Sequence, residues 1–296
     1  TLGPPANVGD QAMHSTLTPR QSDATSVRTL THNIFGHHGP WDRRRPILID
    51  GIQALNPDLM TFQETIVTEG YDQVADIIGS DYHVVHSRER DPDGMGVSIA
   101  SRWPIASVNE LDLSISPRTS GFPCTTLIAE IEAPSPIGTL LLVNHFPDYQ
   151  PGHEYEREVQ TLTAAQYIEH RVAERDTHVI FAGDLDAAPD AASMRFLSGK
   201  QSLGAMSVCY RNAWERVHGD EPGHTYTREN GLVAAGTPDW PFQRIDHIFV
   251  RCGRNWWPTL LIEDCQLAFD RPVDDMWASD HYALVADLVV AETGDR

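Results

Sequence analysis

The sequence has very little positive charge. Across 296 residues, 22 Lys and Arg stand against 42 Asp and Glu, the net charge is −20 at pH 7, and Lys200 is the only lysine. Proteins that bind the nucleic-acid backbone gain affinity by neutralising phosphates and usually carry a basic face. The composition therefore disfavours a tight, non-specific binder of long nucleic acid. The arginines still suit bidentate contacts with a phosphate.

Long apolar segments are also missing. No stretch approaches the roughly 18 uncharged apolar residues of a membrane-spanning helix, so no transmembrane segment is predicted. Hydrophobic residues nevertheless make up 41% of the chain and aromatic residues 8%. A chain of this length buries about 75% of the surface that its unfolded form exposes. This composition excludes disorder along most of the length.

Cysteines are few, and none of them has CxxC spacing. The sequence contains Cys124, Cys209, Cys252 and Cys265. This pattern favours buried thiols or one disulfide over a local redox or metal motif. It leaves both a cytoplasmic and a secreted location open for a soluble protein, and it does not fix the oligomeric state.

The amino-acid composition of the chain changes near residue 27. Residues 1–26 are rich in Pro, Ser, Thr, Gln and Asp, which is typical of an N-terminal arm or tail. Short apolar runs follow, and several of them alternate with polar residues as strands do. No later segment is rich enough in linker residues to divide the chain. We therefore expect one domain over residues 27–296.

Strands outnumber helices in this pattern by roughly two to one. Helical periodicity is clearest over 154–173, where Tyr155, Val159 and Leu162 begin one apolar stripe. Shorter helices are predicted over 45–55 and 69–78. A strict alternation of strand and helix would need one helix for each strand. The pattern instead favours an α+β or layered α/β protein with mixed sheets covered by a few helices.

Polar residues stand at the beginnings or ends of the apolar strands again and again. Carboxylates, Asn or His stand at strand ends at Asn33, Glu64, His145, Asp184, Asp186, Asp246, Asp280 and His281. If neighbouring strands bring these ends to one rim, the carboxylates repel one another and are expensive to bury unpaired. A hard divalent cation such as Mg²⁺, which prefers oxygen ligands, would relieve that repulsion. Taken singly, an Asn or Asp here is more typical of a turn, and His145 of a buried core histidine. The joint pattern is what favours a functional site.

Seven of these segments occur together in one order. They are Thr31–Ile34, Pro57–Glu64, Ser101–Ile105, Val143–Phe146, Gly183–Ala187, Arg244–Ile248 and Ser279–Tyr282. In these motifs the chain, from about Val27 to Val290, resembles the endonuclease/exonuclease/phosphatase superfamily, which has the fold of pancreatic deoxyribonuclease. The resemblance implies a four-layer α/β (α+β) sandwich in which two mixed β-sheets are flanked by helices.

The resemblance also implies a role for each matching residue. Glu64 corresponds to the principal metal carboxylate, with Asn33 and Asp280 close to the metal or its waters. The metal is expected to be Mg²⁺, with Mn²⁺ or Ca²⁺ as alternatives. Asp184 corresponds to the acid that orients or deprotonates the attacking water. The remaining correspondences are His281, which contacts the scissile phosphate, its carboxylate partner Asp246, and His145, a second phosphate contact and general acid.

Asp186 departs from the family pattern, which usually has Asn at this position. An ionised Asp cannot donate the hydrogen bond that an Asn amide gives to a phosphate oxygen. An extended chain would point Asp184 and Asp186 to the same face, because side chains alternate with period two. We therefore expect a metal between or beside them, or an Arg that holds Asp186 in a salt bridge. The departure is consistent with a second metal, an altered substrate or lost activity.

Two further residues are assigned to substrate binding. Arg44 belongs to the Arg- and His-rich stretch Phe35–Arg45, which could form an anion-binding rim or a solvated helix start with Trp41 packed on the core. Asn144 stands next to His145 at its strand end. Trp256 and Trp257 could form a membrane or base-stacking wedge, and burial is the favoured interpretation for both.

The sequence therefore predicts a Mg²⁺-dependent phosphoric ester hydrolase. The fold does not choose the substrate. Because the net charge argues against long nucleic acid, a small phosphorylated metabolite or a lipid-type phosphodiester is the first hypothesis. A nuclease of the same mechanism is the first alternative. A non-catalytic binding protein that kept the fold is the second, and Asp186 is the feature that favours it.

Overall fold

The structure, a computed structural model, describes residues 25–173, 177–237, 239, 241–253 and 255–291. The predicted N-terminal arm lies outside these residues up to position 24. The first strand begins at Ser26, one residue before the predicted start of the domain. Among the described residues, no helix has both the length and the apolar character needed to cross a bilayer.

The first sheet contains seven strands. In chain order these are β1 (Ser26–Asn33), β2 (Leu59–Thr68), β3 (Tyr71–Asp72), β4 (His83–His86), β5 (Met95–Ser101), and the late strands β12 (Leu261–Ala268) and β13 (Ala283–Val289). Their spatial order is β12-β13-β1-β2-β5-β4, and β3 pairs with β2. The sheet is mixed, because β1 is parallel to β2 and antiparallel to β13.

The second sheet contains six strands. They are β6 (Ile105–Asp112), β7 (Thr125–Glu132), β8 (Thr139–Phe146), β9 (His178–Asp184), β10 (Tyr210–Asn212) and β11 (Asp246–Arg251). Their spatial order is β10-β11-β9-β8-β7-β6. This sheet is also mixed, because β8 is parallel to β9 while β9 is antiparallel to β11.

Helices cover the outer faces of both sheets. The described helices are α1 (Trp41–Leu55), α2 (Gln73–Ile78), α3 (Glu154–Ala173), α4 (Ala192–Leu197), α5 (Ala213–His218) and α6 (Gly231–Gly236), with a 3₁₀ turn at Pro117–Thr119. Buried side chains of α1 and α2 pack on the first sheet. Those of α3 and α4 pack on the second. A third cluster fills the space between the two sheets, so the predicted four-layer sandwich is confirmed.

Two of the predicted helices show how local signals set their ends. The helix predicted over 154–173 is α3, whose apolar stripe faces the second sheet as Ala165, Ile168 and Val172. The helix predicted from residue 69 begins only at Gln73. Tyr71–Asp72 instead pair with β2, and the Asp72 carboxylate caps α2 by accepting hydrogen bonds from the first helical N–H groups.

The sheet registers bring the strand ends of the two sheets together. Asp184 ends β9 and lies directly opposite Asp246, which begins β11. Asn33 ends β1, and His281 lies just before β13, which pairs with β1. In both sheets the side chains of these residues lie on the face that looks toward the other sheet. The same end of the sandwich therefore collects carboxylates, an amide and an imidazole.

Candidate active site

Glu64 occupies a bulge in β2. The pairing of β2 with β5 shifts register between Phe62 and Thr65, and Glu64 has a φ of +56°. A side chain in this left-handed region costs about 1–2 kcal/mol, and such strain occurs where the surrounding structure imposes it, commonly at functional sites. The bulge re-aims the Glu64 carboxylate, which accepts a hydrogen bond at Oε1 from Asn33.

Asn33 connects two acids from different sheets. Its Nδ2 donates to Glu64 Oε1 and to Asp184 Oδ2, both at 3.0 Å. Its Oδ1 accepts from the main-chain N–H of Phe35 at 3.0 Å. Asn33 therefore presents donors to the acidic side chains and holds them in place. Its predicted contact with the metal or with metal-bound water stays a prediction.

His281 and Asp246 form the predicted pair. His281 Nδ1 donates to Asp246 Oδ2 at 2.9 Å, and Nε2 lies 3.7 Å from Asp184 Oδ2. Burial by itself lowers the pKa of His281, but the negative charges of Asp246 and Asp184 outweigh burial and raise the pKa well above its ordinary value. His281 is therefore an imidazolium whose orientation is fixed by Asp246.

Asp280 lies beside these groups and belongs to the same charge cluster. Its Oδ1 accepts from Ser279 Oγ, which also donates to the Asn33 carbonyl. Burial raises the pKa of Asp280 to about 6, opposed by His281 and reinforced by the charge of Glu64. Burial likewise raises the pKa of Glu64. Both predicted metal carboxylates thus carry a desolvated charge that a cation would stabilise.

The donor set fits a hard divalent ion. Asp246 Oδ1 is buried without a hydrogen-bond partner, and so is Asp186 Oδ2. Asp184, Asp246 and His281 bring ligand atoms within 4.8 Å of one another. Burial and the nearby charge of Asp186 raise the pKa of Asp184 well above its ordinary value. Buried carboxylate oxygens in excess of their donors are the ligands that Mg²⁺ prefers. The group of three differs from the predicted trio Asn33, Glu64 and Asp280.

Asp186 lies near the cluster for a different reason from the one predicted. Strand β9 ends at Asp184, and Asp186 has a φ of +48°, so the segment is a turn and the period-two argument was wrong. The main-chain N–H of Asp186 donates to Asp184 Oδ1 at 3.2 Å. Burial raises the pKa of Asp186 to about 7, opposed by the charges of His281 and Arg157. Within the described part of the chain, no arginine forms a salt bridge with Asp186.

His145 is not at this rim, which corrects its predicted role as phosphate contact and general acid. Asn144 and His145 are consecutive on β8 and therefore point to opposite faces of the sheet. The His145 ring faces α3, where Thr126 and Thr161 contact its two nitrogens and Phe181 packs against it. Burial lowers its pKa to about 3, so the ring is neutral. His145 is a core histidine.

The two residues predicted to bind substrate have structural partners instead. The fully buried Arg44 guanidinium donates to five main-chain carbonyls, those of Ile34, Phe35, Gly36, His38 and Ala278. Since an Arg has five N–H donors, none remains for a substrate. Asn144 accepts from Gln63 and donates to the carbonyls of Phe62 and Ser98 between the sheets. The substrate-binding assignment of both residues was wrong.

Trp256 and Trp257 lie away from this site. They belong to the loop that follows β11 at the end opposite Asp246. Their exposed fractions are 70% and 61%, so the prediction of burial was wrong.

Three site residues were missed in the sequence. Thr225 Oγ1 accepts from the N–H of Asp246, Tyr226 packs its ring 4.8 Å from that of His281, and Asn230 Nδ2 donates to the Ser279 carbonyl. They lie in an irregular segment before α6, where no periodicity marks a functional position. The Asn230 side chain also caps α6, and that local cap is the only one of these contacts with a sequence signal.

Close packing against β8 explains why a glycine, Gly183, precedes Asp184. Its φ is +150°, and a Cβ at this position would lie 2.1 Å from the main-chain oxygen of His145. Only glycine allows β9 to lie this close to β8 at the strand end. The Gly-Asp sequence is therefore required by packing as well as by the acid.

Comparison with known proteins agrees with this fold. The sequence model of the Endonuclease/Exonuclease/phosphatase family matches residues 30–281, and the chain belongs to this family, whose members hydrolyse phosphoester bonds. The search of curated proteins returned no significant match.

Solved structures with the same fold share little sequence with the chain. A truncated TDP2 from Caenorhabditis elegans is 17% identical with a TM-score of 0.69, over 90% of this chain and 98% of that one. TDP2 from D. rerio, complexed with a single-strand DNA product, is 20% identical with a TM-score of 0.69, over 89% and 98%. An endonuclease/exonuclease/phosphatase from Bacteroides vulgatus is 18% identical with a TM-score of 0.68, over 90% and 100%. At these identities the likeness shows the fold.

Proposed function

We propose that this protein is a divalent-metal-dependent phosphoesterase that hydrolyses the phosphate ester of a small metabolite or a lipid-type phosphodiester by water attack. The observation that carries the proposal is the hydrogen bond of 2.9 Å between His281 and Asp246, with Asp184 at 3.7 Å from the other ring nitrogen. These contacts support a site in which His281 donates a proton to a phosphoryl oxygen and the neighbouring Asp184 carboxylate accepts one from water.

Each residue of this arrangement has a distinct task. Asp246 occupies Nδ1 of His281, so that Nε2–H is the donor toward a phosphoryl oxygen. Asp184 orients the attacking water and takes its proton, and its raised pKa makes it a stronger base than an exposed carboxylate. Asn33 fixes Asp184 relative to Glu64.

Glu64 and Asp280 would hold the divalent ion, with Mg²⁺ proposed and Mn²⁺ or Ca²⁺ as alternatives. When bound, the ion supplies positive charge that stabilises the phosphoryl oxygens during attack. The charge and burial of the two carboxylates support this assignment. The unpartnered Oδ1 of Asp246 supports an ion at this rim.

The choice of a small substrate rests on the net charge of −20. A nuclease is the second candidate, and one observation favours it: a neighbour with the same fold is a complex with a single-strand DNA product. A non-catalytic binding protein is the third. The pairing of His281 with Asp246 argues against it, because a binding protein has no need for a carboxylate-oriented imidazolium next to a base.

A hydrolysis panel tests the proposal. A phosphomonoester, a phosphodiester, sphingomyelin, single-stranded DNA and plasmid DNA are incubated with the full chain and Mg²⁺, Mn²⁺ or a chelator. His281→Asn tests the site, and the same substitution at the exposed His83 is its matched control. We expect metal-dependent hydrolysis of a non-nucleic substrate that is lost in His281→Asn and kept in His83→Asn.

The other outcomes decide between the candidates. Hydrolysis of the DNA substrates alone replaces the proposal with the nuclease. A folded wild type that hydrolyses nothing with either metal replaces it with the binding protein. Activity that survives in His281→Asn overturns the site assignment.

A further inference from the structure

Two of the four cysteines lie directly opposite each other in the second sheet. Strands β10 and β11 are antiparallel, with Tyr210 opposite Arg251. The same register places Cys209, one residue before β10, opposite Cys252, one residue after β11. The N–H of Cys252 donates to the Cys209 carbonyl at 2.9 Å, so the pairing continues to this position.

The register brings the two thiols close to each other. Directly opposite residues of an antiparallel pair point to the same face, with Cβ atoms about 4.5–5.5 Å apart. The Cys209 thiol is near enough to help raise the pKa of the Cys252 thiol, and both thiols are free. A disulfide needs Cα atoms about 4.4–6.8 Å apart, which is the spacing of such a pair. Only a small closure of the Cβ atoms separates this pair from a disulfide.

The other two cysteines have a different environment. Cys124 lies just before β7, and Cys265 lies in β12 of the other sheet. Both are buried, and their cross-strand neighbours are not cysteines: Cys265 lies opposite Ala286, and the Cys124 carbonyl accepts a hydrogen bond from the N–H of Leu113. Cys209, by contrast, is half-buried and accessible to a small reagent.

We propose that Cys209 and Cys252 are a site of reversible disulfide formation that covalently links the edge strand β10 to β11. Strand β10 has only three residues and pairs with β11 alone. The link would therefore join this short edge strand covalently to the strand next to it. It would also fix the base of the loop that carries the exposed Trp256 and Trp257.

The oxidant for this step is a small-molecule disulfide of the glutathione class. The Cys209 thiolate attacks one sulfur of the reagent, forms a mixed disulfide and releases one small thiol. Cys252 then attacks the Cys209 sulfur, the mixed disulfide breaks, and the second small thiol leaves. Two protein thiols are oxidised to one disulfide, the reagent is reduced to two thiols, and the two protein protons pass to them. Burial raises the pKa of Cys252 to about 12, so its attack is the step that should accelerate as the pH rises.

Oxidation of the native chain tests the site. The reduced full chain is incubated with oxidised glutathione without denaturant, alkylated, and analysed by intact mass and by peptide mapping. We expect wild type to lose the mass of two hydrogen atoms and to yield a peptide that links Cys209 to Cys252. Cys252→Ser should stop at glutathione attached to Cys209, and Cys209→Ser should form no cross-link. Cys124→Ser is the matched control and should form the cross-link like wild type.

A second measurement tests the effect on the sheet. The denaturant midpoint of oxidised wild type should exceed that of the reduced form, and the same treatment should not raise the midpoint of Cys252→Ser. The proposal is overturned if native wild type keeps all four thiols, or if the linked peptide contains Cys124 or Cys265. A cross-link that leaves the midpoint unchanged overturns the expected stabilisation of the sheet by this disulfide.

Discussion

Replacing Asp186 with Asn should stabilise the metal-free protein, and the gain should depend on pH. In the folded state burial raises the pKa of Asp186 from 3.8 to about 7. A carboxyl with a raised pKa binds more protons in the folded state, so its ionisation costs stability as the pH rises from 3.8 to about 7. The difference is about three pH units at roughly 1.4 kcal/mol each. The largest gain expected from Asp186→Asn is therefore about 4 kcal/mol above pH 7, and little below pH 4.

Denaturant unfolding in the presence of a chelator measures this gain. Wild type and Asp186→Asn are compared at pH 5 and pH 8, with Asp190→Asn at a nearby exposed position as the matched control. The variant should gain more stability at pH 8 than at pH 5, and the control should gain at neither pH. A gain that is equal at both pH values, or a loss at pH 8, would refute the reasoning.

The same variant tests whether Asp186 contributes to ion binding. Ligand that binds only the folded state adds stability according to its affinity. If Asp186 Oδ2 lies beside the ion, added Mg²⁺ should stabilise wild type more than Asp186→Asn, and calorimetry should show weaker binding to the variant. Equal stabilisation of both proteins would make Asp186 a turn residue without a part in metal binding.

Four further outcomes are expected. Asp246→Asn should lower kcat/KM by about 10- to 150-fold, because it removes a charge-assisted hydrogen bond worth about 1.5–3 kcal/mol; an unchanged rate contradicts its role. Glu64→Gln should lose most activity and Mg²⁺ affinity by calorimetry while circular dichroism shows the fold intact, whereas Glu69→Gln should match wild type. Gly183→Ala should lower the denaturant midpoint strongly, because its Cβ would lie 2.1 Å from the His145 oxygen; a wild-type midpoint would contradict this packing. Duplex DNA should bind weakly at physiological salt, and sub-micromolar, steeply salt-dependent binding would favour the nuclease.

The sequence predicts the fold well wherever a pattern is periodic. The apolar stripe of α3 and the alternating strands predict the layered architecture. Burial of one face imposes the helical or strand periodicity on the hydrophobic residues. The polar residues at the strand ends predict most of the candidate site for a related reason. Asn33 and Asp184 stand where an apolar run stops and Asp246 where one begins, and the registers bring these strand ends to a common rim.

The wrong predictions arose where the sequence does not show which way a side chain points or which distant residues it contacts. Asn144 and His145 are neighbours on β8, and composition does not reveal which of the two faces the site. Arg44 has the residue type of an anion-binding group, but its five carbonyl partners come from segments as distant as Ala278. The turn at Asp186 depends on a positive φ, which an Asp tolerates and which the sequence does not reveal. Each error concerns tertiary contacts that no local pattern encodes.

The correction of His145 strengthens the case for a metal ion. With His145 neutral and behind the sheet, His281 is the one imidazolium of the described site, and it faces Glu64, Asp184, Asp186, Asp246 and Asp280. Arg44 lies close enough to lower the pKa of Glu64 and Asp280, yet its donors are committed to carbonyls. A phosphate ester brings further negative charge to a rim that already carries an excess of it. Like charges at these separations cannot all persist in a buried site, so substrate binding here requires either protonation of several carboxylates or a cation. Protonation would remove the base proposed at Asp184, so the excess of negative charge supports the proposed divalent ion.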